Sequence, residues 1–364
     1  LIIIILTVDY EIFGDGSGDV QKCLIEPTDS LLKVCDRYDV PITFFFEVCE
    51  YWAFKKEEDA GNLPQNYRPA RCIEDQVRRV IKAGHDLQLH IHPQWLEYRY
   101  LPDKGWIVNF DFWRLSQLPT DVLYNTFKRG KDTLERLIRP YRNDYKCFVF
   151  RAGAWCIQPE KDILNIMQEI GFLIDSTVVP GITRDDGLTV FDFREAPLDL
   201  PAWRVKDDVC VPREDGRIWE VPIFTYKYGL IERVSRRVMK RSSTKSPPGC
   251  RGSYVRGEVT RRKDWLYYLN RFKSYTMMDF CAMTARDMMK GVEIARKRFS
   301  GRKGFPLVMI GHSKAFANGS ELSIFFESCL SNFKDEVIFG TYSDWLNTTS
   351  GNKDSVFCQT QGER

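Results

Sequence analysis

The chain has 364 residues, 43% hydrophobic and 28% charged, a balance that fits a globular protein long enough for one large core or two ordinary ones. A net charge of +3 gives no electrostatic case for a nucleic-acid partner. The eleven cysteines are scattered and no Cys-x-x-Cys occurs, which argues for reduced thiols in a cytoplasmic setting and against a disulfide framework.

The opening run Leu1-Ile2-Ile3-Ile4-Ile5-Leu6 is too short for a membrane span and has no basic flank of the kind a signal peptide carries. It reads as the start of a doubly buried strand over residues 1–9. A Gly-rich loop at 13–19 follows, then a helix starting near Pro27 with Thr28 as its N-cap. A strand is expected over 40–48 and a helix over 73–83, closed by Gly84. Next comes a strand that ends in His90-Ile91-His92. Further on, the pattern predicts helices at 120–138, 159–170 and 284–299, and strands at 146–151, 172–176, 218–224, 275–283, 306–312 and 336–341.

Such alternation predicts an α/β fold with a parallel sheet, as a closed or nearly closed barrel or else an open doubly wound sheet. The expected unit covers residues 1–346. Within it, residues 232–263 break the rhythm and read as a basic insertion or loop, with eleven Lys and Arg between Arg233 and Lys263. That segment is either a solvated loop or a contact for a membrane surface or an anionic ligand. Residues 347–364 read as a polar, disordered tail.

Only four histidines occur, His85, His90, His92 and His312, and three of them fall within eight residues. Side chains at i and i+2 of a strand share one face, so His90 and His92 can converge on one ion. Asp9 and Glu11 share a face of the first strand in the same way. Together they make a carboxylate–His–His set suited to zinc or a similar divalent ion with a position open for water, with either Asp9 or Glu11 as the carboxylate. Residue His85 precedes the strand and reads as a structural cap. Glu47 and Glu220 either line the cleft or face solvent. Trp95 and Trp155 lie just past strand ends and either stack on a sugar or pack in the core, as do Trp106 and Trp113.

Several runs are similar to motifs of the polysaccharide deacetylases, carbohydrate esterase family four. Leu6-Thr7-Val8-Asp9-Tyr10-Glu11 resembles the family's first motif, and Ile42-Thr43-Phe44-Phe45 its second strand. Gly84 to Pro93, with His90-Ile91-His92, resembles its metal motif. Phe150-Arg151-Ala152-Gly153-Ala154-Trp155 resembles its arginine motif, and Leu307 to His312 its last catalytic strand. They occur in the family's order, over about residues 1–345. The resemblance implies a divergent member with a distorted, incomplete (β/α) barrel that hydrolyses an acyl group on a sugar. It also implies that Asp9 is the general base, Arg151 holds that carboxylate ionised, His90 and His92 bind the metal, and His312 is the general acid.

Three departures from the family pattern stand out. Tyr10 replaces the second of two adjacent aspartates, the metal-ligand position, so Glu11 or Asp9 itself must supply the carboxylate. The histidines are closer than the usual His-x-x-x-His. The aspartate that orients the catalytic histidine has no clear match; Asp279 is the stand-in, with Asp175 as the alternative.

The expected function is therefore a metal-dependent, most simply zinc-dependent, hydrolase removing an N-acetyl, N-formyl or O-acetyl group. Its expected substrate is an amino-sugar glycan or a lipid- or nucleotide-linked precursor in surface-polysaccharide assembly. The rival expectations are an amidohydrolase acting on a small non-sugar amide, and a catalytically degenerate carbohydrate-binding barrel.

Overall fold

The computed structural model describes residues 1–227, 275–317 and 319–350. Among them nine strands form one sheet: β1 (Ile2–Tyr10), β2 (Ile42–Glu47), β3 (Asp86–Ile91), β4 (Val149–Ala152), β5 (Ile174–Asp175), β6 (Trp203–Val205), β7 (Ile218–Glu220), β8 (Phe305–His312) and β9 (Val337–Phe339). The order is β6-β7-β5-β4-β3-β2-β1-β8, and β9 pairs with residues Ile2 to Ile4 of β1. Every pairing in this sheet is parallel except β6 with β7. β1 is its spine: all nine residues are buried, as a parallel strand covered on both faces requires.

Eight α-helices are described: α1 (Glu26–Arg37), α2 (Val48–Asp59), α3 (Pro69–Lys82), α4 (Thr120–Ile138), α5 (Lys161–Ile170), α6 (Ala285–Arg298), α7 (Gly319–Asn332) and α8 (Tyr342–Ser350). The sheet curls, and the gap between β7 and β8 is narrowed by single parallel bridges, Ile223 with Val308 and Asp279 with Ile310. The fold is a distorted, incomplete (β/α) barrel.

The local expectations need four corrections. Thr28 is not an N-cap; a π-turn over Gln21–Ile25 runs straight into α1, and the buried Thr28 hydroxyl bonds the Ser313 hydroxyl at 3.2 Å. Helix α2 was hidden in the sequence because Val48 to Phe54 are all buried, so no polar face marks its first turns. Residues 275–283 form only the short strand Thr276–Met277 and the Asp279 bridge. Cys23 is disulfide-bonded, whereas the other eight described cysteines are free, so the thiols are not all reduced.

Residues 347–350 belong to α8, and the rest of the expected tail and all of the basic segment at 232–263 lie outside the described residues. Among the described residues no helix is long and apolar enough to cross a membrane.

Candidate metal and acid–base site

Alternation along β1 decides which residues enter the barrel. Asp9 and Glu11 point in and are buried, 3% and 5% exposed. Tyr10 points out, its ring stacked on Phe46 at 5.8 Å and edge-on to Phe44 at 6.0 Å. Its hydroxyl donates to Gln76 Oε1 on α3 at 2.6 Å. The residue that breaks the motif is therefore packed between sheet and helix, away from the site.

His90 on β3 and His92, just past its end, face the same interior. His90 Nδ1–H donates to the Arg151 carbonyl at 2.8 Å, which fixes the tautomer and leaves Nε2 with its lone pair. Burial pushes His90 down to about 4 against the pull of Asp9 and Glu11, so the ring is neutral near pH 7. His92 Nδ1 lies 3.0 Å from the Gln94 amide, which also donates to the Gly14 carbonyl. The His92 ring is pressed on Gly153: a Cβ there would sit 2.7 Å from its Cγ and Nδ1 and 2.6 Å from the Ile91 carbonyl.

Glu11 Oε2 lies 2.7 Å from His92 Nε2 and 3.7 Å from His90 Nε2. Both Nε2 atoms are buried and make no other contact with a hydrogen-bonding group than this carboxylate. Lys314 Nζ, unforeseen in the sequence, grips Glu11 Oε1 at 2.6 Å and the Ile12 carbonyl at 2.8 Å. Burial works to raise the Glu11 pKa, but Lys314, His92 and His90 together hold it well below the usual carboxylate range.

Glu47 ends β2 and caps α2, its Oε1 accepting from the amides of Cys49 at 2.9 Å and Glu50 at 3.3 Å. Its Oε2 is buried without a partner. Burial raises its pKa well above the usual range, with Glu50 and Glu11 adding to the effect. Donor atoms of Glu11, Glu47, His90 and His92 all lie within 4.8 Å of one another. Asp9 is not part of that group.

Asp9 is engaged differently. Arg151 Nη1 donates to its Oδ1 at 2.7 Å, and His312 Nε2 lies 3.5 Å from its Oδ2. Arg151 is completely buried, anchored by Nε to the Ser176 carbonyl at 2.8 Å and stacked 3.9 Å over the Phe45 ring. Burial would raise Asp9, but Arg151, His90 and His312 outweigh it and hold the carboxyl below its ordinary value.

Trp155 and the residue before it are both strained, with φ of 50° at Ala154 and 58° at Trp155. Its ring stands edge-on to His312 at 6.2 Å, and its indole N–H is buried without a partner. Trp95 is 1% exposed inside an aromatic cluster with Phe54 and Trp106, so it presents no face for a sugar. Asp279 accepts from the Cys281 amide at 2.9 Å, and Cys281 Sγ in turn lies 3.6 Å from the His312 carbonyl.

All these groups sit at the C-terminal ends of the strands, where function gathers in such barrels. A cavity of about 1020 Å³ opens at the opposite ends, beside His85, Asp86 and Lys146. There His85 is structural: Nδ1 accepts from the Ile42 amide at 3.3 Å and Nε2 lies 3.0 Å from Asp36.

No family model and no curated protein sequence matches the chain. Similar solved structures include a protein described as a polysaccharide deacetylase from Mycobacterium smegmatis, 15% identical, covering all of this chain and 95% of that one, at a TM-score of 0.49. A 4-alpha-glucanotransferase from Thermococcus litoralis is 13% identical over 95% of this chain and 40% of that one, also at 0.49. A family 4 carbohydrate esterase from Streptomyces lividans is 9% identical over 93% and 92% of the two chains, at 0.39. At these identities the chemistry has to come from the site.

Proposed function

We propose that the chain is a metal-dependent hydrolase of the polysaccharide-deacetylase type, removing an N-acetyl, N-formyl or O-acetyl group from a sugar in a glycan or glycan precursor. The observation that carries this reading is Asp9, clamped by Arg151 on one oxygen and faced by His312 on the other, beside two buried imidazoles whose Nε2 atoms have no hydrogen bond.

The residues fit a divalent ion. His90 offers a neutral nitrogen whose tautomer is set from behind, and with His92 and Glu11 it makes a donor set of the kind zinc takes. When bound, such an ion supplies Lewis acidity, lowering the pKa of water and polarising an acyl carbonyl. Asp9 is placed as the base that removes the proton of the attacking water, and Arg151 keeps it ionised. His312, its side chain 21% exposed at the mouth, is placed to protonate the departing amine or alkoxide. Its imidazole faces the same carboxylate, so the proton gained by Asp9 and the one given by His312 pass within one short chain of groups. Trp155, beside His312, is the aromatic surface available to a sugar ring.

The sugar class rests on the motif resemblance. It is tested by measuring acetate and formate release, with wild type and His90→Ala, from N-acyl amino sugars that are free, nucleotide-linked, lipid-linked or polymeric, and from small non-sugar amides. Release from the sugars by wild type alone supports the reading. Turnover confined to small amides would sink the sugar assignment, and equal rates in His90→Ala would sink the metal mechanism.

A further inference from the structure

We propose that Glu47 is a fourth protein ligand of the ion, through Oε2, alongside Glu11, His90 and His92; this rests on the metal-dependent reading above. The strand alternation that buries Phe45 on the Arg151 guanidinium turns Glu47 inward two residues later. Its carboxylate is split between two tasks. Oε1 is taken by the amides that open α2, whereas Oε2 is buried, lacks any partner, and belongs to a residue only 2% exposed. Ionised or neutral, that oxygen has nothing in the protein to bond, a costly arrangement unless a ligand completes it.

Glu11 shows the same division, with Lys314 on Oε1 and the two histidines around Oε2. Two carboxylates, each tied by one oxygen, thus keep the other to spare beside two imidazoles, and one ligand atom from each of the four residues lies within 4.8 Å of the rest. Asp9, bonded to Arg151, stays outside this set and is free to act as base. Two nitrogens and two oxygens suit Zn²⁺, Co²⁺, Fe²⁺ or Mn²⁺, and an ion held by all four would need a fifth position to keep a water. The ion would then be joined to the N-terminus of α2 through a single side chain.

The test is a Co²⁺ titration of the full chain, reading the visible absorption of the bound ion and its Kd by chelator competition. Wild type is compared with Glu47→Gln and Glu47→Asp, and thermal unfolding of each ion-free protein is followed. Glu47→Gln keeps an oxygen for the two helix amides but loses the anionic donor. We expect it to unfold near wild type when ion-free, bind Co²⁺ at least about tenfold more weakly, and show an altered absorption band. Glu47→Asp withdraws the carboxylate by one methylene and should show the same changes even if the glutamine variant fails to fold. Wild-type Kd and spectrum in a folded variant overturn the inference while leaving the metal reading intact. A wild-type chain that binds no Co²⁺ overturns both.

Discussion

Arg151 Nη1 donates to Asp9 Oδ1 at 2.7 Å with the two side chains 0% and 5% exposed, which makes this pair the electrostatic centre of the barrel mouth. The guanidinium cannot drift, because Ser176 holds its Nε and the Phe45 ring covers its face. A buried carboxylate fixed in this way stays ionised although burial alone would raise its pKa.

Replacing Arg151 by Met should therefore act twice. Removing one partner of a buried pair costs on the order of 3–5 kcal/mol of stability, visible in urea unfolding. The folded-state pKa of Asp9 lies below its unfolded value of about 3.9, so the pair's stabilisation is present above that pH and lost as pH falls through the folded pKa. In the variant, Asp9 titrates higher, and the acid limb of kcat/KM should move up in pH. An unmoved limb would show that Arg151 does not hold the base.

His312→Asn should lower kcat about 10²- to 10⁴-fold on an amide, whose amine must leave protonated. An activated aryl acetate, whose leaving group needs no proton, should lose far less. Equal losses on both substrates would remove His312 from the acid role.

Chelation should abolish activity and lower Tm, and Zn²⁺ or Co²⁺ should restore both. At a hundredfold excess over Kd an ion that binds only the folded chain adds about 2.7 kcal/mol. His90→Ala should show neither response, since it removes the nitrogen whose tautomer the Arg151 carbonyl sets.

Tyr10 tests the side of the sheet. Tyr10→Phe loses only the bond to Gln76, worth about 1 kcal/mol, and should keep wild-type kcat and ion affinity. Tyr10→Asp, which rewrites the motif as paired aspartates, should instead destabilise the protein by several times as much, because it puts a carboxylate between Phe44 and Phe46. Tighter ion binding in Tyr10→Asp would place the residue inside the barrel after all.

Asp175 and Glu220 are opposite in the parallel register of β5 and β7, and both are fully buried. Burial pushes Asp175 up to about 6, and burial followed by the Asp175 charge raises Glu220 well above the usual range. At this pair the folded chain thus binds more protons than the unfolded one, so the pair's contribution to stability is full below about pH 4 and falls as pH rises through about 6. Asp175→Asn should flatten that fall. Urea midpoints at pH 5 and pH 8 that differ as much in the variant as in wild type would contradict it.

Much of this site follows from strand periodicity. The two-residue period is a property of the backbone, so Asp9 with Glu11 and His90 with His92 share faces wherever the strands run. The strand and helix order was legible because parallel strands buried on both faces are written as apolar runs, as in Ile2–Tyr10 and Phe305–His312. The three-residue β6 and helix α2 were not, the first being too short to show a period and the second buried on all sides over its first turns.

What the sequence by itself determined is thus which residues share a strand face, and in what order the chemistry-bearing strands occur. Only the tertiary structure decided which faces meet. It brought Lys314 onto Glu11 across 303 residues and turned Glu47 toward the histidines. It left Asp9 to Arg151 and His312, and sealed Trp95 in the core. The physical reason is that periodicity acts between near neighbours. The partner of a buried charge is set by sheet order and curl, which no local pattern encodes.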